Sequence, residues 1–584
     1  MPEAAGATVS RKKTLPSFAK GLFEGEIDET LIFPYPHLPA EEQDSLDLVL
    51  ESFNRFAVKH LDGARFDREM EIPQEIIAKL GELGVLGLTV PEEYGGFGFS
   101  TGSYARLMED VCRYCAATAT VVGGHQSIGI KGIIRFGSEE QKREYLPKMA
   151  TGEWIGAYAL TEPGSGSDAA AMTTRAVLDE EGSHYILNGR KQWITNGGFA
   201  RVFTVFARIE IPGESRPTRT ISCFLVKSDQ EGVSTTPPMH KMGIRGSNTV
   251  DVVFDNVRVP VCQLLGRPGG GFKMAMEILN TGRLSLAAGC IGACKDMIAR
   301  SSAHATQRRA FGTTISQFEM IRSKFARMMC ETYAAESMVY MTTGLCDAGQ
   351  VDFSLESAIC KIFASEVLWR VANDAVQING GNGYMSEYPY ERVLRDSRIN
   401  LIFEGTNEIL RHYVALAGMA GPGARLKAVG KAMKDPIDNI GLLTGEAARR
   451  LKKAVVQPKL GKVHDALKEE RDLVIAWTQQ LAAAVQKALV AHGKAITARE
   501  HLQERFADAA IDLYGMLATL SRTTDRLEKA GPDGASRELK MTRLFCKQAW
   551  RRVRRNLAQI TRHDDDLINE VAEMAYRDAG YKVN

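Results

Sequence analysis

Between residues 158 and 262 the sequence stops repeating every three or four positions and alternates in short runs. "YILNGRKQWITNGG", "RVFTVFARI", "ISCFLVKS" and "TVDVVFDNVRVP" are β-rich and separated by Gly, Pro, Ser and Asp, so they read as strands joined by turns. The flanks have helical periodicity. Residues 41–150 include "LDLVLESFNRFAVKHL" and "IPQEIIAKLGELGVLGL", broken by "PEEYGGFGFSTG". Long helical patterns return from "GGGFKMAMEILNTGR" to about residue 417, interrupted by "FGTTISQ" and "NGGNGYMSEYP". The Gly-Pro-Gly of "MAGPGARL" marks a boundary, and residues 425–584 read as further helices. The expected order is α, β, α, α: a mainly α chain with an inserted β-domain.

The bulk numbers bound the rest. A chain of 584 residues, 44% hydrophobic and 25% charged, can bury several cores. A net charge of +2 gives no field that argues for nucleic acid. Of ten cysteines only Cys112 and Cys115 form a C-x-x-C, and no partner pair stands at zinc spacing, so reduced thiols and no metal are expected. The N-terminal stretch has basic residues but no apolar signal core, and no run approaches the ~18 apolar residues of a membrane span. The protein is expected inside the cell, cytoplasmic if of bacterial type.

Three stretches carry chemistry. "YALTEPGSGSD" (158–168) puts small and hydroxyl residues where helix gives way to strand; it is either a plain turn or a loop whose N–H groups approach an anion or a flat ring. It is not the G-x-G-x-x-G of a Rossmann site. "KQWITNGG" (191–198) places Trp193 and Thr195 two apart, on one face of a strand, either to cover a flat ring or to fill a core. "IFEGTNEILR" (402–411) sets Glu404 beside Ile402 and Phe403, where a carboxylate loses water and its pKa should rise.

These stretches, with "KMGIRGSNT", "FDNVRVP", "GGGFKMAMEILNTGR", "RRAFG" and "QINGGNGY" in fixed order, resemble the acyl-CoA dehydrogenase family. "SFAKGLFEG", "FPYP", "GGHQSIGIKG" and the C-terminal extension resemble its very-long-chain branch. The resemblance implies an N-terminal extension (1–40), a helical domain (41–157), a middle β-barrel (158–265), a C-terminal four-helix catalytic domain (266–420) and an additional helical domain (421–584). It implies FAD as cofactor, long-chain acyl-CoA as substrate, electron-transfer flavoprotein as acceptor, and a role in fatty acid β-oxidation. Because the extension covers the surface that tetrameric members use, it also implies a homodimer.

Residue by residue, Glu404 matches the base that removes the α-proton of the thioester, while the β-hydride leaves for flavin N5. Tyr158, Leu160, Thr161, Ser167, Trp193 and Thr195 match flavin contacts, and Ser167 also lies near substrate. Arg308, Phe311, Gln377 and Gly381 match positions that hold FAD from a neighbouring subunit; Thr406 and Glu408 match an adenine-side contact. Asn280 and Arg283, with Phe403 and Gly405, match the substrate side. Gly129 and Gly132, one turn apart, either floor the acyl channel or permit close helix packing. Arg411 reads as a structural ion pair. An acyl-CoA oxidase and a respiratory-complex assembly scaffold on the same fold are the competing functions.

In the extension, "RRLKKAVVQPKLGK" (449–462) has six basic residues and no acid, and the 440–462 segment that contains it is the candidate for peripheral contact with the inner membrane. Residues 537–562 carry nine basic residues against one acid, with Cys546, Trp550, Val553, Leu557 and Ile560 at helical spacing. That stripe is expected to face the protein rather than a bilayer.

Overall fold

The computed structural model describes residues 15–211, 218–432 and 459–582. Helices Ala40–His60 and Thr101–Tyr114 begin the first helical layer. The second is started by Ser100, whose side chain accepts from the Ser103 N–H and satisfies one of the free donors of the first turn. Helix Gly271–Gln307 runs against it so closely that a Cβ on Gly292 would stand 1.9 Å from the Glu109 carbonyl oxygen. Only glycine fits that crossing. Cys112 and Cys115 sit at the end of the 101–114 helix and at the junction after it, both free. Burial pushes both thiols up, away from the thiolate form that redox or metal chemistry uses.

The β-rich segment forms β1 (Gly156–Ala159), β2 (Arg175–Leu178), β3 (His184–Thr195), β4 (Val202–Ile211), β5 (Thr218–Lys227), β6 (Val233–Thr235), β7 (Thr249–Pro260) and β8 (Leu264–Leu265). Their order is β6-β7-β3-β2-β4-β5-β8, with β1 branching off β4. The sheet wraps its own core, which includes Phe203, Val205, Phe224, Val252 and Phe254. Among the described residues its end strands β6 and β8 are not hydrogen-bonded to each other, so it is an open barrel. Its other face meets helices through Tyr158, Phe206, Met274 and Ile278.

A bundle follows: helices Gly271–Gln307, Glu319–Ala348, Ser354–Asn379 and Asn407–Ala432. The first and third run parallel, since Ser357 Oγ donates to the Asn280 carbonyl near their starts and Asn379 Nδ2 to Ser301 Oγ near their ends. Four more helices (Lys468–His492, Glu500–Gly534, Ser536–Ala558, Asp565–Arg577) are added on. The 500–534 helix joins the bundle by hydroxyl pairs, Tyr333 with Thr523 and Thr342 with Tyr514, both at 2.8 Å. The basic 536–558 helix buries Phe545, Cys546, Ala549 and Val553, as its stripe requires. The N-terminal segment is clasped between these layers: Tyr35 donates to the Ser337 carbonyl and Gln479 to the Gly25 carbonyl. Residues 449–458 of the basic stretch lie outside the described residues.

One buried ion pair ties the loop after β1 to β3. Lys191 Nζ stands 2.8 Å from Glu162 Oε1, with side-chain exposures of 0% and 2%. Glu162 also accepts the Thr173 hydroxyl and the Thr174 N–H. Burial pushes the Glu162 carboxyl up, but Lys191 and these donors outweigh it and hold it at about 2; burial lowers Lys191 to about 8, partly offset by Glu162. Both are charged at neutral pH. Lys191→Met strands the carboxylate and is expected to cost about 3–5 kcal/mol; thermal unfolding of the variant checks this, and an unchanged midpoint refutes it.

Candidate active site

Glu404 and Gly405 form a left-handed step, with φ of +60° and +91°, just before the 407–432 helix. Glycine takes such an angle freely; glutamate pays about 1–3 kcal/mol and needs outside support. Two cations supply it. Arg283 Nε donates to the Glu404 carbonyl oxygen at 3.0 Å, and Lys361 Nζ to that of Gly405 at 2.7 Å. Thr406 Oγ1 then accepts from the Ile409 N–H, capping the helix that follows.

The turn aims the Glu404 carboxyl at Gly282, where a Cβ would lie 3.0 Å from Oε2. Oε2 is buried and accepts no hydrogen bond among the described residues. Burial raises the carboxyl to about 7, Arg283 and Lys361 pulling only partly the other way. Ile402 is 47% exposed, so the apolar surroundings are not the chain neighbour expected from sequence. They come from Phe403, the other expected neighbour, and from Ile128 and Leu286, all lining a cavity of ≈ 110 Å³ that Thr195, Gly123 and Gly124 also line. At one end hydroxyls run in series, Tyr104 to Ser127 and Ser127 to Ser285, each at 2.8 Å. At the other a pocket of ≈ 460 Å³ shares Cys112, Ala116, Asp396 and Asn400 with it.

The comparisons with known proteins fit this geometry. Family models for the acyl-CoA dehydrogenase N-terminal, middle and C-terminal domains match residues 43–153, 157–257 and 269–419. An ACAD9/ACADV C-terminal domain matches 465–581. The human mitochondrial very long-chain specific acyl-CoA dehydrogenase is 43% identical over 551 residues, 93% of this chain and 84% of that one. The chain belongs to the acyl-CoA dehydrogenase family. A probable acyl-CoA dehydrogenase of Bacillus subtilis (strain 168) is 37% identical, over 91% of this chain and 89% of its own. The crystal structure of a Bacillus anthracis acyl-CoA dehydrogenase complexed with FAD superposes with a TM-score of 0.79 at 33% identity, covering 98% of this chain and 97% of that one.

Within this family fold, the residues singled out from sequence fall into groups. Glu404, Phe403 and Thr195 share the cavity. Trp193 is not on its wall: the β3–β7 register slips between Lys191 and Ile194, and Trp193 takes φ +59° and is 60% exposed. The slip breaks the simple two-residue alternation, and the indole is no core filler. Tyr158 and Leu160 are core side chains, Tyr158 donating to the Ala275 carbonyl, so a ring could meet only their backbone. Thr161 is joined to β3 through the Gln192 N–H, and Ser167 is exposed on the loop.

Arg283 and the pair Gly129 and Gly132 are engaged within the protein. Arg283 is 7% exposed and spends Nε on the Glu404 carbonyl oxygen and Nη1 on Asn280 Oδ1, so it supports the Glu404 turn. Gly129 and Gly132 line neither cavity wall: a Cβ on Gly129 would strike the backbone of Gly124 and Gly156, and one on Gly132 would meet Ile278 and Leu265. They are packing glycines, and the ones in the wall are Gly123, Gly124, Gly282 and Gly289. Arg411 pairs with Glu366 and Asp508, both at 2.7 Å, as a structural residue. Arg308, Phe311, Gln377 and Gly381 are exposed at the far end of the 271–307 and 354–379 helices. At 1.5 Å per residue, Arg308 lies about 37 Å along from Arg283.

Two outcomes test the site. If Glu404 must be ionised to act, kcat/KM rises about tenfold per pH unit below a pKa near 7 and levels off above it; a flat profile from pH 5.5 to 8.5 contradicts this. Gly282→Ala should displace the carboxyl and lower turnover about 10-fold or more, a cost near 1.4 kcal/mol on the barrier, with the fold intact by circular dichroism.

Proposed function

We propose that this protein is an FAD-dependent dehydrogenase that converts long-chain acyl-CoA thioesters to trans-2-enoyl-CoA. The observation that carries the reading is one buried carboxyl, raised to about 7, in the cavity that Thr195 also lines. Water-exposed carboxylates are too weak as bases for a proton beside a thioester, and burial removes that limit. In the proposed mechanism Glu404 takes the α-proton. Its own backbone N–H, in the clamped turn, would donate to the thioester oxygen as negative charge develops. The walls exclude water.

The residues fit a flavin. Trp193 is an exposed indole free to lie on a flat ring, Thr195 offers a hydroxyl at the cavity, and Gly164 and Gly166 leave open space along the loop that would meet the pyrophosphate. When bound, FAD supplies the hydride acceptor. Thr406 and Glu408 stand at the start of the 407–432 helix, where the adenine side is proposed. Arg308, Phe311, Gln377 and Gly381 are too far along the bundle to serve the same flavin, and Phe311 is 96% exposed. They are assigned to a partner's FAD in a homodimer.

Electron-transfer flavoprotein is the proposed acceptor. Peripheral membrane contact is proposed through the basic 449–462 stretch; among the described residues no helix is long and apolar enough to cross a bilayer.

Anaerobic titration with palmitoyl-CoA and butyryl-CoA tests the reading. Palmitoyl-CoA is expected to bleach the flavin, and Glu404→Gln to bind it but bleach at least about 10³-fold more slowly, within the range of a lost general base. Bleaching of that variant at the wild-type rate removes Glu404 from the mechanism. Rapid peroxide formation in air would favour an oxidase.

A further inference from the structure

We propose that Lys361 is a positioning residue for the base: its buried ammonium pins the Gly405 carbonyl and so holds the left-handed turn that aims Glu404 into the cavity. The inference rests on reading Glu404 as the base. Lys361 sits inside the 354–379 helix with no exposed surface. Burying an ammonium there is costly unless its hydrogen bonds are strong and well placed. Among the described residues no carboxylate oxygen lies within ion-pair distance of it; it donates instead to two neutral oxygens, those of Gly405 and of the Asn407 side chain, both at 2.7 Å. Those acceptors flank the step at which the backbone leaves the left-handed region and enters the next helix.

Asn407 is itself held, its Nδ2 donating to Ser365 Oγ at 3.1 Å and to Glu366 Oε1 at 3.2 Å. The ammonium therefore has a fixed second anchor and cannot swing away. The charges that act on Lys361 are Glu404 and Glu408, with Arg283 opposing and the Cys290 thiol nearby. Burial lowers the ammonium to about 7, the carboxylates partly resisting. Lys361 thus has two effects on Glu404: its hydrogen bonds fix the direction of the carboxyl, and while protonated its charge favours the ionised form.

A merely structural lysine would leave the pH profile alone. Lys361→Met in the FAD-loaded enzyme is expected to slow flavin bleaching by palmitoyl-CoA about 10-fold or more at pH 7. The apparent pKa of that step should move up by about one unit, as expected when a nearby opposite charge is lost. Flavin content and palmitoyl-CoA affinity should hold, and Lys361→Arg should restore part of the rate. Asn407→Ala removes the second anchor and should shift the profile the same way by less; it decides the matter if Lys361→Met does not retain flavin. Wild-type rates and profiles in the variants overturn the proposal. If Glu404→Gln is inactive while Lys361→Met behaves as wild type, only this inference fails; if Glu404→Gln still bleaches, the base assignment fails first.

Discussion

Two buried cations on two different helices hold the carbonyl oxygens of adjacent residues, Glu404 and Gly405. That clamp is the constraint on which the site depends. Without it the left-handed glutamate would relax, and its carboxyl would leave the wall over Gly282. The same cations set a limit on the chemistry. They pull the Glu404 pKa down against a larger effect of burial, leaving it close to neutrality, where a carboxylate is both ionised and basic.

The rest of the architecture serves that point. The 271–307 and 354–379 helices run parallel, so Arg283 from one and Lys361 from the other converge on one turn. The β-sheet brings Thr195 to the opposite wall, and its loop is kept in place by the buried Glu162–Lys191 pair. Small residues make the approach possible: Gly292 lets the first helical layer touch the bundle, and Gly282 leaves room for the carboxyl.

Much of this was legible in the sequence, and the omissions have physical causes. The switch of periodicity at 158–262 gave the inserted sheet because period two and period 3.6 are distinguishable over ten residues. Glu404 stood out as an acid in an apolar run, and of the two neighbours in that run Phe403 lines the cavity while Ile402 faces out, the remaining apolar wall coming from Ile128 and Leu286. Lys361 and Lys191 were invisible: a lysine in a helix or strand pattern usually faces water, and only three-dimensional packing puts it inside. Trp193 was mis-set on a regular strand because a bulge is not written in a hydrophobic pattern. Gly129 and Gly132 were left open between channel floor and close packing; β1 backbone stands against Gly129 and the Ile278 and Leu265 side chains against Gly132, contacts that a one-turn spacing does not reveal.

Arg411 has a consequence beyond its own two ion pairs. It stands on the helix that follows the Glu404 turn, and one of its partners, Asp508, belongs to the added C-terminal helices. Its other partner, Glu366, also accepts from Asn407. The late helices and the Glu404 turn are therefore joined by an unbroken polar seam, and the added helices buttress that turn rather than hang on the outside of the fold.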